Sequence, residues 1–187
     1  VETANLLERT KIASRQRQKQ LIDLRSVIEN APAQIEKINE LIRFTENDRV
    51  FYDENRETIA IPERVAFGEE LLEAIKSNTL REKERLFDEY QGFTVVLPAN
   101  MMSDKPYVWI RRNGGGNYYL EMDTDKPMGC AQRIDRLLDQ LDERIKSLEK
   151  QRATIYSQSA EAKTDIERGN PHESKVEALM TELSQID

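Results

Sequence analysis

Arg9, Lys11, Arg15, Arg17 and Lys19 form a basic run with no intervening acid. Lys11, Arg15 and Lys19 recur at four-residue steps, which on a helix places them on one face. A stripe of that kind is built to contact phosphates; a solvated helix face has the same composition and is the commoner outcome for a charge run. A second pair of cations, Arg111 and Arg112, adjoins the aromatic residues Tyr107, Trp109, Tyr118 and Tyr119. Rings and guanidinium groups together would offer a nucleic-acid strand both stacking and phosphate contacts. The competing reading, favoured because a small sheet needs large side chains to bury anything, makes these rings its core.

The remaining reactive residue types do not assemble into a catalytic pattern. Glycines 114, 115 and 116 precede Tyr118 and Tyr119 rather than a helix, so they read as a hairpin tip and not as a phosphate loop. Glu121, Asp123 and Asp125 stand before a helix start, where acids complement the helix dipole, and capping is their expected role. Glu69, Glu70 and Glu73 lie on a helix surface with no histidine near them. His172 is the only histidine and Cys130 the only cysteine. The first adjoins Pro171 in a turn with no nucleophile at motif spacing; the second falls on the inner face of a helix, as a small hydrophobe. Catalytic, metal-binding and cofactor-binding residues are therefore assigned to none, and the chain is read as not an enzyme.

These groups must be positioned by two long helical arms. Ile134, Leu138, Leu141, Ile145, Leu148, Ile155, Ala162 and Ile166 recur at alternating steps of four and three, with Arg152 and Ser159 interrupting. That is a heptad seam and it requires a partner helix. A continuous rod over 127–168 would run about 60 Å at the α-helical rise. Leu21, Leu24, Ile28, Ala31, Ile35, Ile38 and Ile42 repeat the spacing near the N-terminus. The economical arrangement is an antiparallel coiled-coil hairpin within one chain; two chains zipped side by side is the alternative. Thr10, Ser14 and Arg17 are polar seam positions, expected to be loosely paired or to face something outside the chain.

Composition sets the outer limits. The chain has 187 residues, 34% charged and 38% hydrophobic, which suits long charged helices with a modest core. A net charge of -7 argues against a wholly basic nucleic-acid binder but leaves room for a local patch. One cysteine means no disulfide framework and favours a reducing, cytoplasmic setting. No apolar run reaches membrane-spanning length and no signal-peptide pattern opens the chain, so no membrane association is expected. The first residue is Val rather than Met, which reads as a piece of a longer protein.

In chain order the reading is an N-terminal arm over 1–47, a small α+β head over 48–126, a C-terminal arm over 127–168 and a short return helix over 169–187. Pro32 is expected to kink or restart the first arm, with Asn30 as an N-cap. Within the head, 49–52 and 57–61 read as a hairpin and Pro62 opens an amphipathic helix to about Ser77. After a charged linker, 87–97 reads as a strand ended by Pro98. Residues 100–106 form a loop, and 107–112 with 118–122 form a glycine-tipped hairpin. The head is thus a small antiparallel sheet with one helix packed on it.

Three segments carry a resemblance: Glu-Tyr-Gln-Gly-Phe-Thr-Val-Val at 89–96, Tyr-Tyr-Leu-Glu-Met-Asp-Thr-Asp at 118–125 and Gln-Arg-Ile-Asp-Arg-Leu-Leu at 132–138. Together with Phe67, Gly68, Glu69, Glu70, Leu71 and Leu72, they resemble a segment near the C-terminal end of large proteins of bacterial conjugative elements and phages. Those proteins join a DNA adenine methyltransferase region to a Swi/Snf-type helicase. The similarity covers roughly residues 48 to 150; Pro127, Met128 and Gly129 depart from the Phe-Gly-Asn turn commoner there. The resemblance implies a parent protein acting on DNA, with ATP and S-adenosylmethionine used outside this segment. The expected function is a non-catalytic accessory module of such a helicase or methyltransferase. It would contact DNA, through Arg9, Lys11, Arg15, Arg17, Lys19, Arg111 and Arg112, or the parent's own catalytic domains. The alternative is a protein-interaction or homo-oligomerisation module without nucleic-acid contact, its open seam positions Ser14 and Arg17, or Arg152 and Ser159, receiving another chain.

Overall fold

The computed structural model describes residues 1–77, 83–99 and 105–186. Among them lie five helices and one antiparallel sheet, an α+β chain dominated by helix: α1 (Glu2–Asn55), α2 (Ile61–Ser77), β1 (Arg85–Tyr90), β2 (Phe93–Leu97), β3 (Tyr107–Arg111), β4 (Asn117–Glu121), α3 (Pro127–Asp139), α4 (Leu141–Glu167) and α5 (Pro171–Ile186). No helix of the described residues is long and apolar enough to cross a membrane. The chain divides into two compact units, one of Val1–Ile38 with Lys150–Asp187 and the other of Asn39–Glu149.

In the second unit the sheet is a meander in the order β1-β2-β3-β4. Its inner face carries Tyr90, Phe93, Val95, Leu97, Val108, Ile110 and Tyr118. Against them pack Leu71, Leu72 and Ile75 of α2, then Cys130, Ala131, Ile134 and Leu138 of α3. Tyr52, from the last turns of α1, completes the core. Two helices and the end of a third therefore cover the sheet, where one helix was expected.

The expected hairpin at 49–61 is absent, because α1 continues to Asn55. Val50, Phe51 and Tyr52 favour strand by type, but Thr45, Asp48 and Tyr52 are buried at steps of three and four, which share one face of a helix and not of a strand. Pro32 neither ends nor restarts α1, and Asn30 is an interior residue rather than a cap. The rod over 127–168 is interrupted instead: α3 stops at Asp139, and the Gln140 N–H bonds to the carbonyls of both Arg136 and Leu137 before α4 begins. Residues 87–97 form two strands, not one. Tyr90 pairs with Phe93 across a two-residue turn in which Gln91 and Gly92 have φ of 53° and 79°. Both signs fit the primed turn that matches strand twist. Gln91 tolerates this conformation because its side-chain amide donates to the Glu57 carbonyl at 2.7 Å and accepts from the Glu57 N–H at 2.9 Å.

The acids before α3 do not cap it. Lys126 is the N-cap residue, without a side-chain cap bond, and the Thr124 hydroxyl accepts from its N–H at 3.2 Å. The charged linker after Ser77 falls partly, and the loop at 100–106 mostly, outside the described residues. In the first unit the polar seam positions are filled. Thr10 and Ser159 are buried, the Asn170 amide donates to the Ser14 hydroxyl at 3.0 Å, and Arg17 pairs with Asp165 at 2.9 Å. Ser14 and Arg17 are thus engaged within the chain, and Ser159 is buried in it.

Candidate docking surface

The sheet has a second face, set by strand alternation. Because Val108 and Ile110 point into the core, Tyr107, Trp109 and Arg111 point away from it; because Tyr118 is buried, Tyr119 faces outward. Trp109 pairs across the ladder with Val96 on one side and Tyr119 on the other. The three outward rings touch. Tyr107 and Tyr119 lie 4.9 Å apart between centroids, Trp109 meets Tyr119 at 5.7 Å and 74°, and Tyr107 meets Trp109 at 6.2 Å and 88°. These are favourable tilted and edge-to-face geometries. The patch reaches solvent: Tyr119 is 45% exposed, and Leu86, on the same face opposite Val96, is 68% exposed. The expectation that all four aromatics of β3 and β4 form the core is thus met by Tyr118 alone.

Arg111 and Arg112 flank this face but are engaged within the fold. Arg111 reaches Glu84 at 3.2 Å and Asn117 at 3.1 Å. Arg112 turns the other way, donating from Nε to Asp48 Oδ1 at 2.7 Å while its guanidinium sits 4.5 Å from the Phe51 ring centroid. Asp48 is fully buried and accepts also from the Gly116 N–H at 2.6 Å and the Tyr118 hydroxyl. The glycine loop therefore wraps a carboxylate of α1. A Cβ at position 115 would lie 2.0 Å from Asp48 Oδ1, which is why that position admits no side chain. Burial, and then the hydrogen bond to Asp48, push the Tyr118 phenol above its ordinary range.

On the inner side, two carboxylates of α3 anchor the neighbouring helices. Asp139 accepts from the Tyr52 hydroxyl and Asp135 from the Tyr90 hydroxyl, each at 2.9 Å. Arg64 pairs with Asp135, and Arg56 lies 3.5 Å from Asp139. Together they line a polar cleft of about 360 Å³. Burial, and then the bond to Asp135, push the Tyr90 phenol up to about 12. All these groups satisfy one another, which makes the cleft a clasp between α1, α2, β1 and α3. Among the described residues no cluster of histidine, cysteine and carboxylates is arranged to hold a metal.

The basic run lies on α1 in the first unit. Arg17 hydrogen-bonds Asp165 and the carbonyls of Asp165 and Gly169, so it closes the seam rather than facing outward. The bond from Arg17 holds the Asp165 carboxyl below its usual range. Lys11 pairs with Glu8 at 3.3 Å, whereas Arg9, Arg15 and Lys19 are exposed. Arg111 and Arg112 belong to the other unit. No family, curated protein or solved structure matches this chain. The outward face was legible in one signal: Arg111 shares strand parity with Tyr107 and Trp109, and a cation does not point into a core.

Proposed function

We propose that this chain is a non-catalytic accessory module that docks, through the outward aromatic face of its head, onto the catalytic domains of a DNA-processing helicase or methyltransferase. The observation that carries this reading is the Tyr107, Trp109 and Tyr119 cluster on a sheet face turned away from the core. Tyrosine and tryptophan dominate binding energy at protein interfaces, because they bury much area with few rotatable bonds. The DNA-processing setting comes from the resemblance of residues 48 to 150 to mobile-element proteins of that kind.

The arms belong to the same reading. We infer an antiparallel coiled-coil hairpin whose seams close within one chain. In the first unit Arg17 meets Asp165 and Ser14 meets Asn170; in the second Arg49 meets Asp142 at 3.2 Å and Tyr52 meets Asp139. In each unit, taken by itself, rising numbers on one strand of contacts meet falling numbers on the other. Leu141 and Leu148 are buried in the chain alone.

Direct DNA contact is the second reading, supported by exposed Arg9, Arg15 and Lys19 on α1. It is weakened by the internal pairing of Arg17, Arg111 and Arg112. Trp109 is the only tryptophan, so its emission reports the face directly. Titrating the chain with isolated helicase or methyltransferase domains of such a mobile-element protein should shift Trp109 emission to the blue. Trp109→Ala should weaken the complex at least about tenfold, the scale of an aromatic hot spot. An unshifted emission together with undiminished binding of the variant would refute the docking face. A gel shift at low salt that Lys19→Glu abolishes would favour DNA instead.

A further inference from the structure

A different face of the second unit carries unspent positive charge. Arg133, Arg136, Gln140, Arg144 and Ser147 follow one another at steps of three, four, four and three, which aligns them along one side of α3 and the start of α4. With Leu120 of β4, Leu137 and Glu143 they line a groove of about 480 Å³. Arg17, Arg64, Arg111 and Arg112 each meet a carboxylate. Among the described residues none of Arg133, Arg136 and Arg144 does so. Arg133 is held by a 2.9 Å bond from Nη2 to the Asp123 carbonyl, and Arg144 lies 5.0 Å over the Tyr118 ring. Both are positioned without being neutralised. Arg136 is exposed. Glu143, the acid among the lining residues, is turned to Lys146 at 3.3 Å.

Three uncompensated guanidinium groups converging on one groove, in a chain of net charge -7, mark a local field that calls for an anion. We propose that this groove binds an acidic peptide segment of a partner protein, its carboxylates held by Arg133, Arg136 and Arg144 and an apolar side chain seated on Leu120 and Leu137. The volume suits a few side chains. Peptide is favoured over nucleic acid because the lining offers two leucines and no aromatic ring on which a base would stack. Glu143 at the rim would also repel a phosphate chain more than a peptide that can turn its own side chains away.

The test is fluorescence anisotropy of a fluorescein-labelled peptide of alternating glutamates and leucines against the whole chain. The same peptide with lysine for glutamate is one control, and labelled single-stranded and duplex DNA are the others. The acidic peptide should bind, the lysine peptide should not, and Arg133→Gln with Arg136→Glu should weaken binding at least about tenfold. Circular dichroism of the double variant verifies that it is folded; Arg136→Glu alone, which breaks no hydrogen bond or ion pair among the described residues, should still lose several-fold. Equal binding by the folded variants, no binding at low salt, or DNA binding tighter than the peptide with the same sensitivity to Arg136→Glu would each overturn the proposal. The anisotropy reads this groove and Trp109 emission reads the sheet face, so the two failures are distinguishable.

Discussion

Asp48 shows how a single buried charge fixes a surface. Its carboxylate takes Arg112, the Gly116 N–H and the Tyr118 hydroxyl, so the β3–β4 loop, the end of α1 and the edge of the aromatic face are held to one another. Removing one partner of such a pair leaves the other charge uncompensated. Asp48→Ala should therefore cost about 3 kcal/mol in urea denaturation, whereas Asp48→Ala combined with Arg112→Met should recover part of the loss. The tyrosine clasps make a second prediction. Tyr52, Tyr90 and Tyr118 have phenols raised above the ordinary value of 10.0, Tyr90 to about 12, by burial and by a neighbouring aspartate. The protonated phenol is thus the stabilising form. Its contribution is complete below pH 10 and lost as pH climbs towards 12. The melting temperature should fall over that interval, and Tyr90→Phe should flatten the fall. Little of this was legible beforehand. Arg112 and the glycines were singled out, but Asp48 lies 64 residues before Arg112, and no local pattern joins them. The arginine groove is more legible, since 133, 136, 140 and 144 keep helical spacing, but its charges are less dense in sequence than the run at 9–19.

At the scale of elements, long periodic segments were readable and their breaks were not. α2, the strands β3 and β4, and α5 lie close to where periodicity and turn residues put them. The error at 49–61 arose because Val50, Phe51 and Tyr52 carry strand propensity, and burial at helical spacing overrides propensity. Gln91 with Gly92 was missed because the turn chemistry there depends on a partner, Glu57, remote in sequence. Gly92 is required twice over, by its φ of 79° and by Phe51, whose ring would lie 2.7 Å from any Cβ. Pro32 is the sharpest case. It sits inside an unbroken α1, where proline removes the hydrogen bond to Ile28 and crowds that carbonyl. Packing of the flanking seam residues Ala31, Ile35 and Ile38 outweighs that cost. Pro32→Ala should then raise stability by about 1 to 3 kcal/mol, read from thermal or urea unfolding. An unchanged midpoint would mean that the proline's restriction of the unfolded chain offsets its strain.

For the whole molecule, the alternating steps of three and four had more to say than any reactive residue. They placed Leu141, Leu148, Ile38 and Ile42 among the buried residues, and they marked Thr10, Ser14 and Arg17 as exceptions. What the spacing left open was the use of those exceptions: Arg17 and Ser14 join the last turn of α4, at Asp165, and the turn that follows it, at Gly169 and Asn170. If the seams are satisfied inside one chain, the head is free to present its aromatic face and its arginine groove to partners. If they are satisfied between chains, both surfaces would have to be reconsidered as parts of an oligomer. The direct measurement uses Ser14→Cys with Asn170→Cys in a Cys130→Ser background, oxidised and resolved on a non-reducing gel. A bridge within the chain, migrating as a compact monomer at every protein concentration, is the predicted result. A bridge found only between two chains would contradict it.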